Sequence, residues 1–74
     1  MYKSGKGVKK DLRLAASLYK QACDNGEPNG CNNLGVLYKN GLGVTKDKDR
    51  AVELFKQACN EGNTRGCDNL KDLN

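Results

Sequence analysis

Apolar residues recur along two stretches of this chain at steps of three and four. Leu14, Ala15, Leu18, Tyr19, Ala22 and Cys23 do so in the first, and Ala51, Val52, Leu54, Phe55, Ala58 and Cys59 in the second. That spacing keeps one stripe of a 3.6-residue helix apolar and predicts two amphipathic helices, over Leu12–Asn25 and Lys48–Glu61. Each stretch closes on a glycine, Gly26 or Gly62, which reaches the positive φ of a helix end at little cost. Asp11 and Asp47 stand at the other ends, suited to be N-caps or first-turn acids. A second kind of helix comes after each of these. Cys31, Leu34, Gly35 and Tyr38 share its face, and Gly35, which otherwise only weakens a helix, predicts close approach of a neighbouring backbone. Leu37–Lys46 (LYKNGLGVTK) and Met1–Lys10 (MYKSGKGVKK) supply paired glycines, Gly41 with Gly43 and Gly5 with Gly7, to stop a helix and turn the chain. Val44 and Val8 come next as apolar pegs.

These elements repeat. Cys23 and Cys59 stand 36 positions apart, as do Cys31 and Cys67, and the offset holds without a gap from Tyr2/Tyr38 to Leu37/Leu73. A fixed period of this size marks a stacked-repeat architecture. The expected fold is an all-α solenoid of antiparallel α/α hairpins. Its first unit spans 1–36 and lacks most of its first helix, its second spans 37–72, and a C-terminal helix spans 67–74. In that last helix Lys71 replaces Gly35 and Asp72 replaces Val36, while Leu70 and Leu73 keep one apolar edge. A polar final helix is what an uncovered end of a stack requires. At the other end Tyr2 occupies the position of Tyr38, so Met1–Lys3 reads as the stump of a helix. The helix after it is then expected to show bare apolar surface, as in a piece of a longer array or a pair of self-associating copies.

Composition fits a thin stack. Only 36% of the 74 residues are hydrophobic and there is no Trp, so a core alone would be marginal at this size. The net charge of +4 is spread out, with Lys9, Lys10, Lys46 and Lys48 beside Asp11, Asp47 and Asp49. Such mixing belongs to solvated helix ends; nucleic-acid binding would need a basic stripe with stacking aromatics, and none is expected. No apolar run approaches a membrane span.

The four cysteines form two Cys-x7-Cys pairs, one member in the last turn of a helix and the other in the first turn of the next. Two antiparallel helices joined by a short turn bring such positions within reach of a disulfide. Repetition of the pair favours Cys23–Cys31 and Cys59–Cys67 as independent staples. Free buried thiols are one alternative. A structural zinc site is another, disfavoured because there is no His and no C-x2-C pair. Disulfides point to a secreted or periplasmic location.

The stretch LGVLYKNGLGVTKDKDRAVELFKQACNEGNTRGC resembles the Sel1-like repeat, with its LGxxY, its GxGV, an acid, an Ala and a final Gly. With Cys-x7-Cys in each unit and a period of 36, it is similar to the disulfide-bridged repeats of the Helicobacter cysteine-rich protein family. The resemblance covers essentially the whole chain. It implies right-handed superhelices of α/α hairpins outside the cytoplasm, and also penicillin binding with slow β-lactamase activity.

Such chemistry needs an activated Ser in S-x-x-K with Y-x-N and K-[ST]-G nearby. Ser17-Leu18-Tyr19-Lys20, Tyr38-Lys39-Asn40 and Lys3-Ser4-Gly5 have these forms. Ser17, however, aligns with Glu53 and Ser4 with Asn40, so both serines vary while the framework stays. Ser17 also falls mid-helix, where the motif normally opens a helix. No catalytic residue is therefore assigned, and neither a metal nor a cofactor is expected. The preferred expectation is an extracytoplasmic scaffold that binds a protein or peptide. Asn33, Val36 and Asn40, with Asn69 and Asp72 one repeat on, are expected on the exposed side opposite the stacking face. Amides that both donate and accept suit a peptide backbone. The alternatives are a β-lactam-binding protein with slow hydrolysis and an excised or engineered fragment with a purely structural role.

Overall fold

The computed structural model describes residues 8–73. Four helices succeed one another: α1 (Val8–Asp24), α2 (Pro28–Asn40), α3 (Lys48–Asn60) and α4 (Thr64–Leu73). Among the described residues there is no strand. Helix α2 packs on both α1 and α3, α3 also packs on α4, and α4 touches α2. This is the all-α hairpin solenoid that the 36-residue period predicts.

Local chemistry accounts for most of the boundaries. Gly26 (φ 88°) and Gly62 (φ 96°) lie in the left-handed region in the turns after α1 and α3. Pro28 opens α2, where its missing N–H is no loss. Gly41, also left-handed, caps α2 and returns its N–H to the Leu37 carbonyl. Asp47 is the N-cap of α3, its Oδ1 accepting from the Arg50 N–H at 3.1 Å. Asp11 lies inside α1 as a first-turn acid, because that helix begins four residues before the expected Leu12. Val8 is the first residue of that helix, and Val44 packs against the core as an apolar peg. Tyr2, the Met1–Lys3 stump, Ser4, Gly5 and Gly7 lie outside the described residues.

The core is built from two small clusters. Ala16, Leu34 and Leu37 form one, with Leu12, Tyr19, Tyr38, Val44 and Leu54 packed around it. Cys23, Cys31 and Ala58 form the other, and Leu54 touches both. Phe55 is fully buried. On α1 the expected stripe is only half used: Leu14 is 60% and Leu18 53% exposed. Bare apolar surface was expected on this helix, and these two leucines supply it.

Glycine sets the helix spacing, but not where the sequence suggested. A Cβ at Gly35 would fall 2.6 Å from Cε1 of Phe55, so Gly35 receives a ring rather than a backbone. Backbone approach occurs instead at Gly30, where a Cβ would meet Cys23 N at 2.8 Å and Tyr19 O at 2.9 Å. Gly66, one repeat on, meets Cys59 N and Phe55 O at 3.0 Å in the same way. These two glycines let α2 close on α1, and α4 on α3, next to the cysteines Cys31 and Cys67.

Candidate functional site

All four cysteines are paired, Cys23 with Cys31 and Cys59 with Cys67, at Cα separations of 4.6 and 4.7 Å. Free thiols and a thiolate metal site are thereby both replaced by the staple reading. Two disulfides belong to an oxidising compartment.

The candidate binding surface lies along α2 and α4, which two amide bridges join. Asn69 Nδ2 donates to Asn32 Oδ1 at 2.7 Å, and Asn63 Nδ2 donates to Asn29 Oδ1 at 2.6 Å. Asn63 also caps α4, its own Oδ1 accepting from the Gly66 N–H at 2.9 Å. One asparagine thus starts a helix and ties it to its neighbour. Asn32 is the buried polar residue of the core, 4% exposed, so its bond to Asn69 is made largely away from water. Beside the second bridge a polar cleft of about 320 Å³ is lined by Asn29, Gly62, Asn63, Thr64 and Arg65.

Asn33, Val36 and Asn40 succeed one another along α2 at helical steps, with Asn69 and Asp72 one repeat on in α4. Full exposure was expected of all five. Asn40 and Asp72 are exposed, whereas Asn33, Val36 and Asn69 are half-buried. The Asn40 amide turns back to donate to the Val36 carbonyl at 3.1 Å, and Asn69 is engaged by Asn32. Helix α2 is sandwiched between α1 and α3 with α4 alongside, which narrows its open surface to a strip that carries Asn29, Asn33, Val36 and Asn40.

Asn32, Asn29 and Asn63 were not singled out from the sequence. Their bridges join residues 37 and 34 positions apart, so a comparison of positions separated by 36 passes over them. At the outer edge of α2 the Arg50 guanidinium lies over the Tyr38 ring, 5.6 Å from its centroid. Tyr38 raises the Arg50 pKa, through hydrogen bonding ahead of charge.

Two of the three strings of β-lactam-enzyme type fall within the described residues. Ser17 is exposed on α1. Lys20, three residues on, pairs with Asp24 at 3.5 Å. Tyr38 sits under Arg50, and Lys3-Ser4-Gly5 lies outside the described residues.

A family model, described as the Sel1 repeat, matches residues 1–27 and 28–63. The chain belongs to the Sel1 repeat family. Among solved structures it is similar to Helicobacter pylori cysteine rich protein B, with 44% sequence identity and a TM-score of 0.75 over 85% of this chain and 47% of that one. The chain thus spans about half the length of that protein. No curated protein matches it. The second Sel1 unit, 28–63, contains α2 and α3. Each disulfide therefore crosses the end of a matched unit, tying the last helix of that unit to the next helix of the chain. No helix among the described residues is long and apolar enough to cross a membrane. The protein is a disulfide-bonded helical repeat scaffold.

Proposed function

We propose that this scaffold works outside the cytoplasm, secreted or periplasmic, and binds an extended peptide segment of another protein along α2 and α4. The observation that carries the reading is the pair of asparagine bridges, Asn32–Asn69 and Asn29–Asn63. Each bridge uses one donor and one acceptor, whereas every carboxamide has two N–H donors and an oxygen that accepts twice. Hydrogen-bonding capacity therefore remains on Asn29, Asn63 and Asn69, which are accessible and already held in place, so that little ordering entropy is lost when a peptide backbone meets them. Asn33, Asn40 and Asp72 extend the same polar track, and Val36 gives it an apolar contact. Sel1 repeats as a family suggest a protein-binding role, and the two disulfides suit an oxidising location.

Selection of a random peptide library on the immobilised protein tests this. Peptides retained by the native chain should lose binding to an Asn33→Ala/Asp72→Ala variant whose thermal midpoint is unchanged. Retained peptides that bind the variant equally well would move the site elsewhere. Asn69 is unsuitable for the purpose, because its amide also holds the fold together.

A further inference from the structure

The repeat makes the outer faces of α1 and α4 counterparts of a contact inside the chain. Helix α4 occupies the place of α2, with Leu70 for Leu34 and Leu73 for Leu37. Helix α1 occupies the place of α3, with Leu18 for Leu54 and Tyr19 for Phe55. The α2/α3 contact inside the chain is thus a template for a contact between chains, α4 of one copy receiving α1 of the next. Much of the apolar material is present. Leu70 and Leu73 are half-buried on α4, while Leu14 and Leu18 are more than half exposed on α1. A head-to-tail contact of that kind does not close on itself and would add copies without limit.

One position breaks the match. In the α2/α3 contact the Phe55 ring lies against Gly35, where a Cβ would fall 2.6 Å from Cε1 and 2.8 Å from Cδ1. The ring is fully buried. The corresponding residue of α4 is Lys71. We propose that Lys71 is a stop residue: its Cβ fills the space that Tyr19 of a second copy would need, so these two complementary faces are kept from joining. A lysine that acted by charge alone would be a different device, and alanine separates the two, since it removes the charge but keeps the Cβ.

Sedimentation velocity of the intact chain, run up to millimolar concentration, tests the proposal. The native protein and Lys71→Ala should each remain one monomeric species. Lys71→Gly should form a concentration-dependent series, its weight-average mass rising roughly twofold or more as heterologous contacts extend. Adding Leu18→Glu to that chain should return it to monomer. An equimolar mixture of Lys71→Gly/Leu18→Glu with native protein should stop at a 1:1 dimer, because one open end then meets one free α1. Glycine weakens a helix, so helical content is monitored by circular dichroism. If α4 frays, Lys71→Gly/Asp72→Ala restores helix propensity and is held to the same expectation. Glycine variants that stay folded and monomeric at every concentration would overturn the proposal. So would assembly of Lys71→Ala or of the native chain.

Discussion

Asn69, on α4, donates its side-chain amide to the buried carboxamide oxygen of Asn32, on α2, across 37 positions of sequence. Around it α2 and α4 make only a slight contact, whereas α2 and α3 are extensively packed. A hydrogen bond formed away from water has a large influence where so little else joins two elements.

Removing one partner should therefore hurt more than removing both. Asn69→Ala leaves the Asn32 oxygen buried without a donor and is expected to lower stability by about 1–3 kcal/mol. The Asn32→Leu/Asn69→Leu pair should recover much of that loss, since no polar group is then stranded. Urea denaturation of the two variants and the native chain decides it. Equal losses from the single and double changes would mean that the bridge itself contributes little.

Gly35 sets a steric limit of another kind. Gly35→Ala would push a methyl into the Phe55 ring and should destabilise by about 1–3 kcal/mol, as overpacking of a filled core does. The change raises helix propensity, so a stabilised variant would show that the ring can shift. Phe55→Leu added to Gly35→Ala should restore part of the loss, and a double-mutant cycle in urea measures how much.

The disulfides make a chemical prediction. Intact mass after alkylation should show no adducts on the folded, unreduced protein and four once it has been reduced. Replacing Cys59 and Cys67 together by Ala should lower stability by about 2–3 kcal/mol in the chain-entropy account. Thermal melts of that variant and of its Cys23/Cys31 counterpart would compare the two staples directly. Adducts on unreduced protein would contradict the pairing.

The parts legible in the sequence are those written twice. Helix stripes, the turn glycines Gly26 and Gly62, the Asp47 cap and both cysteine pairings all stem from a local pattern reinforced 36 residues away. Asn32 was not legible because nothing local marks it. Its repeat mate is Asp68, and an asparagine on a half-apolar helix reads as solvent-facing until a neighbouring helix covers it. The role of Gly35 was half legible. Its smallness announced a close contact, but the identity of the Phe55 ring depends on how α3 rotates against α2, and no single-helix period encodes that. On α1, Leu14 and Leu18 have the right spacing for a core, yet burial depends on what lies opposite.

Both cysteine pairs enclose a helix-to-helix turn within a separation of eight residues. A protease that nicks the turn around Gly26 or Gly62 therefore releases nothing, for the severed ends remain joined through sulfur. The connection from Gly41 to Asp47 has no such protection, and a cut there would leave two hairpins, each internally tied. Among the described residues, the endurance of this molecule against cleavage therefore rests on the loop between α2 and α3.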